Sequence, residues 1–307
     1  MIIANPIYDV IFKYLMENTD IAKDILSAIL GINIVSLELK PLELVTQTDS
    51  SVRVSRIDFK AIVKDETGGL KAILIEIQKA KQGLEIPRFR RYIGSNYNKQ
   101  TDIINAENKN EKTHLPISVI YFLGYNLDSI HIPVLTVERV YRNAITDEIL
   151  AIKDIFVESL SHDLHIVQIP KLNMVAQTEL EQILDVFNVS KYKTGDKHVL
   201  EYTGAVSNPK VARIIKYLNR AMQYDEIIEA MKTEDEVEDA INVQKKIAEV
   251  AEQKAEVAQQ KAELAQQKAD AAQQKIEEER REKEEISKQF EELKKQFEIL
   301  KQTYGKE

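Results

Sequence analysis

The chain of 307 residues is long enough for one sizeable domain with an appendage or for two domains. It contains no cysteine, which excludes disulfides, thiolate zinc sites and cysteine nucleophiles. The net charge of −8 argues against a surface that attracts nucleic acid everywhere, so any contact with DNA must be local. No run of about 18 apolar residues is present, so we expect no membrane partner and a cytoplasmic protein.

Apolar residues recur at helical spacing from residue 6 to residue 30. The polar run Asn18-Thr19-Asp20 predicts a break into two helices, and Gly31 predicts the end of the second. A strand-like stretch follows from residue 35 to residue 46. This order predicts a helical start to the domain, followed by a sheet.

Two strand-like segments, at 52–63 and 70–79, flank the turn-forming residues 65–69. If these five residues form the loop, Lys64 faces Leu70 and Asp58 faces Glu76, with Cβ atoms about 5 Å apart. Because strand side chains alternate, Asp58, Glu76 and Gln78 then share one face, and the other face is apolar. A four-residue loop would put Glu76 on the opposite face from Asp58.

The two facing carboxylates have two interpretations. Like charges at this spacing repel, and a cation between them removes the repulsion, which predicts a divalent-metal site at Asp58 and Glu76. Alternatively, the hairpin is a solvated surface on which Arg56 and Lys60 neutralise both acids. The nearly continuous apolar run at 72–75 favours the first interpretation, because such runs are typical of strands covered on both faces.

A helix is predicted from about residue 84 to residue 105, with Pro87 in its first turn. It carries the only local basic cluster that we single out, which comprises Arg88, Arg90 and Arg91 with Tyr92 and Tyr97 interleaved. Strands are predicted at 116–123, 132–141 and 165–169, which gives an α+β domain with a mixed sheet. We expect strand geometry around His162 and His165, which makes their H-x-x-H spacing unsuited to metal binding.

Helical spacing returns at 180–187 and again after Pro209, where the segment is either part of the globular body or a connector. From residue 248 to residue 275, four heptads repeat alanine at alternate spacings of three and four. This repeat predicts a long helix, either in a coiled coil or as a single solvated helix held by Glu and Lys pairs. Bulkier residues would anchor any tight self-association in the last third of the helix; they are Ile276, Ile286, Phe290, Leu293, Phe297 and Leu300.

Several short motifs together resemble the PD-(D/E)XK nuclease superfamily and, within it, the recombination-promoting nuclease (Rpn) and transposase family. The opening Asp9-x-x-Phe12-Lys13-x-Leu15 resembles its N-terminal D-x-x-F-K-x-L motif. The Arg56-Ile57-Asp58 and Glu76-Ile77-Gln78 strands resemble its R-x-D and E-x-Q strands, and the arginine helix resembles its R-x-x-x-Y helix. The segment 165–171 resembles a late E-L-P-K motif, with Gln168 in place of glutamate. The resemblance covers roughly residues 5 to 230.

The resemblance implies a restriction-endonuclease-like mixed sheet flanked by helices, followed by the long C-terminal helix or coiled coil. It implies that Asp58 and Glu76 bind Mg²⁺, with Mn²⁺ as an alternative ion, and that Gln78 is the third catalytic residue. Most of the superfamily has lysine at the position of Gln78. The supporting residues would be Asp9, Lys13 and Lys60, although Asp9 and Lys13 also fit an ordinary i,i+4 ion pair. The DNA-contacting residues would be Arg88, Arg90, Arg91 and Tyr92.

We therefore expect a Mg²⁺-dependent DNA endonuclease linked to mobile elements or recombination, which self-associates through its C-terminal coiled coil. The alternative is a catalytically weak or inactive nuclease fold that acts as a coiled-coil interaction protein. The expected domains are a nuclease-like domain at 1–190, a helical extension or connector at 191–240, and a heptad-repeat segment at 241–304.

Overall fold

The computed structural model describes residues 1–48, 51–66, 68–79, 85–104, 110–172 and 175–304. Within these ranges, only the backbone is described at 40–48, 51–58, 85, 88, 103–104, 300 and 302–304. The chain divides into a compact unit at Met1–Glu238 and a second unit that begins at Asp239. No helix in the described ranges is both long enough and apolar enough to cross a membrane.

The first unit is a mixed α+β fold, as predicted. Its strands are β1 (Ile2–Ala4), β2 (Ile34–Thr48), β3 (Ser51–Asp65), β4 (Leu70–Gln78), β5 (Thr101–Ile104), β6 (Asn110–Thr113), β7 (Ile117–Leu123), β8 (Val134–Val137), β9 (Tyr141–Arg142), β10 (Ile149–Leu150), β11 (His162–Gln168) and β12 (Val199–Glu201). Its helices are α1 (Asp9–Glu17), α2 (Thr19–Leu30), α3 (Glu85–Tyr97), α4 (Ile155–Leu160), α5 (Glu179–Asp185), α6 (Val189–Tyr192), α7 (Pro209–Ala221) and the start of α8 (Asp225–Tyr304).

A six-stranded sheet in the order β2-β3-β4-β7-β11-β8 forms the centre of the unit. The strands β4, β7 and β11 run parallel, while β2, β3 and β8 add antiparallel pairings. All seven residues of β7 are buried. This accounts for its mostly apolar sequence, in which Ser118 is also buried, because a central parallel strand is covered on both faces.

Helices cover both faces of this sheet and create two hydrophobic clusters. The larger cluster joins one face to α1, α2, α5 and α7, and Phe12 lies inside it with its ring centroid 5.1 Å from that of Phe122 and 6.3 Å from that of Phe187. The smaller cluster joins the other face to α3 through Phe89, Tyr92 and Ile93. We call these the α1 face and the α3 face of the sheet.

The helix boundaries follow from local capping chemistry. Asn18 ends α1 and caps α2, because its side-chain oxygen accepts a hydrogen bond from the backbone nitrogen of Ile21 at 3.2 Å. Gly31 ends α2 in the left-handed conformation with φ of 65°. The predicted break and the predicted stop are therefore both confirmed.

The segment after residue 190 packs into the larger cluster. Val211, Ile214 and Leu218 of α7 are completely buried, as expected for the helical spacing after Pro209. This places α7 in the globular body, one of the two alternatives considered. The division of the chain at 190 and 240 stays a prediction.

Replacing Phe12 with alanine should destabilise the protein by about 3–5 kcal/mol, because the ring is fully buried among other aromatic rings and leaves a cavity. Urea denaturation measures this loss. The control is Ile145→Ala at a side chain that is 94% exposed, where we expect a change within about 0.5 kcal/mol. Equal effects of the two substitutions would contradict the assignment of Phe12 to the core.

Candidate functional site

The register between β3 and β4 is the one predicted from a five-residue loop. Lys64 pairs with Leu70, and the ladder continues in step to Phe59 and Ile75. Asp65 closes the loop, because its side-chain oxygen accepts a hydrogen bond from the Gly69 nitrogen at 2.8 Å and its own nitrogen donates to the Gly69 carbonyl at 3.0 Å. Gly68 adopts φ of 87°, a conformation that glycine permits.

This register assigns the polar side chains of β3 and β4 to the α3 face. Phe59, Ile75 and Ile77 enter the larger cluster on the α1 face. Lys60 pairs with Leu74, which belongs to the smaller cluster, so Lys60 shares the α3 face with Glu76 and Gln78. The described ladder ends at Phe59 and Ile75, so the alignment of Asp58 with Glu76, one residue beyond it, stays a prediction. The side chain of Asp58 lies outside the described residues, so its role as a ligand stays a prediction.

Three polar side chains are buried together on this face. Lys60 is 7% exposed, Glu76 is 3% exposed and Gln78 is 6% exposed. A solvated surface hairpin would leave such groups in water, so the burial opposes the surface-hairpin interpretation of the sequence. Burying charged groups is costly without compensating partners, and a protein retains them mainly where they are paired or bind an ion.

A β-bulge in β3 lies at Asp58. Lys40 pairs with Lys60 while Leu42 pairs with Ile57, so Asp58 and Phe59 together oppose Pro41 alone. Bulges bend a strand and redirect its side chains, and they are frequent beside functional sites. Sequence reasoning missed this feature, although a proline inside a predicted strand was a usable signal for it.

The backbone packs closely where β4 and β7 end. Glu76 pairs with Tyr121 and Gln78 with Leu123, and the Gly124 nitrogen donates to the Gln78 carbonyl at 2.8 Å. A Cβ at Gly124 would overlap the carbonyl oxygen of Lys79, so glycine is required there. Glu76 and Gln78 thus lie at the carboxyl end of a parallel strand, where open α/β sheets commonly bind ligands.

Asp9 and Lys13 form the ordinary ion pair that their spacing predicted. The Lys13 ammonium lies 2.5 Å from an Asp9 carboxylate oxygen, one turn apart on α1. The Asp9 nitrogen also donates to a carboxylate oxygen of Glu234 at 2.9 Å. These contacts occupy the start of α1, and a direct role of Asp9 at a metal stays a prediction.

Helix α3 differs from its prediction in length and in the role of one tyrosine. It ends at Tyr97 instead of continuing to residue 105, because residues 101–104 form β5, which pairs with β6. Arg90 and Arg91 are exposed, and the side chain of Arg88 lies outside the described residues. Tyr92 is 2% exposed and packs in the smaller cluster, so a predicted DNA contact for Tyr92 is replaced by a packing role.

The two histidines of the H-x-x-H spacing lie on β11, as expected. His162 contacts the Tyr97 hydroxyl through Nδ1 at 2.6 Å, and His165 contacts the Thr136 hydroxyl at 3.2 Å. Burial lowers the pKa of both imidazoles. Alternation along the strand directs them to opposite faces, which prevents them from sharing an ion.

Gln168, at the position where the resembled family has glutamate, is completely buried and holds a loop. Its side-chain oxygen accepts from the Leu127 nitrogen at 2.6 Å, and its side-chain nitrogen donates to the carbonyls of Ile130 at 3.1 Å and Ile132 at 2.7 Å. A glutamate could not donate these two bonds, so glutamine at this position serves the structure between β7 and β8.

Lys79, directly after Gln78, lies in a separate charged cluster, which we call the Asp235 cluster. It comprises Tyr8, Lys79, Lys197, His198 and Asp235. The Lys79 ammonium lies 2.5 Å from Asp235, 2.9 Å from Glu238 and 4.0 Å from the centre of the Tyr8 ring. Asp235 also pairs with Lys197 and His198 at 2.9 Å each.

Burial alone would raise the pKa of the Asp235 carboxyl, but hydrogen bonds from Lys79, Lys197 and Tyr8 outweigh it and hold that pKa well below its usual range. The cluster joins the start of α8 to the segment that follows β4. Sequence reasoning missed it because its members are 37 to 227 residues from Asp235.

Among the described side chains, which do not include that of Asp58, no group of three or more histidine, cysteine, aspartate or glutamate residues is placed to hold a metal ion. Comparison with models of protein families, with curated proteins and with solved structures found no significant match.

Glu234 should make stability depend on pH. Burial, strengthened by the charge of Asp9 and opposed by Lys79, raises the pKa of Glu234 from 4.5 to about 7. Between these values the unfolded chain has released the proton while the folded chain retains it, so this contribution to stability is lost as the pH rises from 4.5 to about 7.

Glu234→Gln removes this titration and keeps an acceptor for the Asp9 nitrogen. The difference in unfolding free energy between the variant and the native protein should therefore shift in favour of the variant when urea denaturation is repeated at pH 8 instead of pH 5. Glu236→Gln, at an exposed position of the same helix, should show no such shift. A constant difference between Glu234→Gln and the native protein at both pH values would contradict this assignment.

Proposed function

We propose that this protein is a Mg²⁺-dependent DNA endonuclease of the PD-(D/E)XK type, linked to mobile elements or recombination. The observation that carries the proposal is the shared burial of Lys60, Glu76 and Gln78 on the α3 face, next to the end of the β3–β4 ladder at Phe59 and Ile75. The predicted alignment of Asp58 with Glu76 lies one residue beyond this ladder. The chain order of α1, the three antiparallel strands β2 to β4, α3 and the parallel strand β7 also agrees with the resemblance stated above.

The donor set fits a hard divalent cation. Carboxylate oxygens are the ligands that Mg²⁺ prefers, and Mn²⁺ accepts the same ligands. Glu76 is 3% exposed, so a divalent cation bound to its carboxylate would interact with it more strongly than in water. Asp58 and Glu76 would hold the ion. When bound, Mg²⁺ lowers the pKa of a coordinated water and neutralises charge that develops on the phosphate.

Gln78 would orient the attacking water. Its amide offers one acceptor oxygen and two N–H donors, and it lies two residues from Glu76 on the same face of β4. A neutral amide positions a water but supplies no positive charge. Lys60, the buried cation of the same face, would supply that charge to the phosphate.

The exposed arginines of α3 would bind the DNA backbone. Helix α3 covers the face that carries Glu76 and Gln78, and Arg90 and Arg91 are exposed on this helix. Guanidinium groups grip phosphate oxygens in pairs, which positions DNA without reading its sequence. A local cluster of this kind is compatible with a net charge of −8.

Plasmid cleavage tests the proposed centre. The native protein should nick or cut supercoiled DNA with Mg²⁺ but not with EDTA, and Asp58→Asn and Glu76→Gln should each reduce cleavage to the EDTA level, because each removes one ligand charge. Glu148→Gln, at an exposed glutamate, should cleave like the native protein.

A second readout does not depend on cleavage. Mg²⁺ should raise the melting temperature of the native protein and not that of Glu76→Gln, because only the native site binds the ion in its folded form. Cleavage that persists unchanged in both carboxylate variants would remove the proposed centre.

The arginines should contribute to DNA affinity through phosphate contacts alone. Arg90→Gln and Arg91→Gln should each weaken binding to every sequence tested and reduce the slope of log K against log salt by about 1. Fluorescence anisotropy with the cleavage-deficient Glu76→Gln background measures both quantities. Arg142→Gln, whose guanidinium pairs with Asp147 at 2.7 Å, is the matched control and should leave the slope unchanged. An unchanged slope in the α3 variants would place the DNA elsewhere.

The alternative function is a catalytically weak or inactive nuclease fold that serves as a coiled-coil interaction protein. The neutral Gln78 and the exposed apolar residues of α8 favour it. It predicts no cleavage by the native protein with Mg²⁺ or Mn²⁺, together with self-association through α8.

A further inference from the structure

The exposed part of α8 carries one unbroken heptad register over 60 residues. The apolar positions a and d fall at residues 241 and 244 and recur every seven residues to 297 and 300. Both the alanine heptads and the later bulky residues occupy this register without a shift in phase. We call this row of a and d positions the α8 seam; its polar members are Gln244, Glu279 and Lys283. A shorter exposed row, Val250, Val257 and Leu264, lies at the c positions of the alanine heptads.

The two halves of the α8 seam differ in side-chain size. From residue 248 to residue 272 every a and d position is alanine. Ile241, 38% exposed, precedes this alanine stretch. The other bulky a and d residues with described side chains come after it and are about two-thirds exposed; they are Ile276 (68%), Ile286 (64%), Phe290 (70%), Leu293 (67%) and Phe297 (68%). Exposed phenylalanine and leucine at seam positions indicate a surface that is covered in the assembled protein.

In a parallel pair in register, each seam residue would face the same residue of the second copy, so the size of the layers would change along the seam. Alanine would meet alanine in the first half, and phenylalanine would meet phenylalanine in the second half. The distance between packed helices varies from about 8 to 10 Å with the size of the contacting side chains. A parallel pair would therefore be narrow at one end and wide at the other.

An antiparallel pair gives nearly uniform layers. In antiparallel coiled coils an a residue packs against a d residue of the other helix, and one alignment places Ala248 opposite Leu293, Ala251 opposite Phe290 and Ala255 opposite Ile286. The same alignment places Ala265 opposite Ile276. Between residues 248 and 293 every alanine of the seam then packs against a longer side chain, apart from the two symmetry-related contacts of Ala269 with Ala272 in the centre. At the ends the alignment pairs position 241 with 300 and position 244 with 297.

The charged residues of the seam favour the same alignment. Glu279 and Lys283 occupy d and a positions, and in parallel register each would face its own copy across the axis. The antiparallel alignment places them opposite Ala262 and Ala258, where a long side chain can lie over the small residue and extend its charge into water. The charged residues beside the seam do not favour either orientation of the two helices. In both the parallel and the antiparallel pair, Lys275 lies beside a cation of the second copy.

We propose that the protein forms an antiparallel homodimer through the α8 seam, in which the alanine half of each helix packs against the bulky half of the second copy. This inference does not depend on nuclease activity. It also differs from self-association confined to the last third of the helix, because the alanine heptads form half of the interface.

Oligomeric state is the first test. Light scattering after size exclusion should give about twice the chain mass of 35.2 kDa for the native protein. Leu293→Glu, on the seam, should yield a monomer, whereas Ile299→Glu, at a side chain that is 64% exposed but off the seam, should remain a dimer. A monomeric native protein, a tetramer, or equal effects of the two variants would overturn the proposal.

Orientation is the second test, and the absence of native cysteine permits single spin labels. A label at Gln253→Cys, on the outer side of the helix, would lie level with Lys288 of the second copy, and the intervening 35 residues correspond to about 53 Å at 1.5 Å per residue. A label at Gln274→Cys lies near the centre of the alignment, with an axial offset of about 10 Å.

Double electron–electron resonance should therefore give a long distance between the two labels at residue 253 and a short distance between the two labels at residue 274. Short distances at both positions would show a parallel pair and overturn the proposed arrangement. The short distance at residue 274 also verifies that both copies are labelled and paired.

Discussion

The register between β3 and β4 is the constraint on which the candidate site depends. A strand has a side-chain period of two, so a slip by one residue would transfer every polar side chain to the opposite face. The loop from Asp65 to Gly69 fixes this register through hydrogen bonds to the Asp65 side chain and backbone and through the left-handed Gly68. The apolar residues of the α1 face reinforce it, because a slip would also bring Lys60 and Glu76 into the larger cluster.

Burial of the polar side chains on the α3 face strengthens their electrostatic interactions. Helix α3 covers the face that carries Lys60, Glu76 and Gln78, and it does so with aromatic side chains that exclude water from beneath it. A carboxylate in such a place interacts more strongly with a cation than it would in water. The close approach at Gly124 keeps the ends of β4 and β7 together, so the carboxyl end of β4 is a rigid support for the residues that it presents.

Local patterns in the sequence predicted what depends on local physics. The alternation in β4 and in the described side chains of β3 from Phe59 onward, the break at Asn18 and the strand around His162 all follow from spacing and turn chemistry, and the structure has them. The early end of α3 was missed because pairing between β5 and β6 competes with helix formation after Tyr97. The burial of Tyr92 depends on contacts with β7, and the Asp235 cluster joins distant segments, so neither has a local signal.

The Asp235 cluster also bears on the glutamine that replaces the lysine common in the superfamily. Lys79 is adjacent to Gln78 in sequence, so it is the first candidate to replace the charge of the lysine that most of the superfamily has at the position of Gln78. Alternation directs it to the other face, however, where Asp235 and Glu238 hold its ammonium group and the Tyr8 ring lies beneath it. Moving it to the α3 face would leave the buried Asp235 carboxylate with fewer cations, which is costly. Among the side chains that the structure describes, Lys60 and the exposed arginines of α3 are therefore the candidates for a positive charge at the proposed centre.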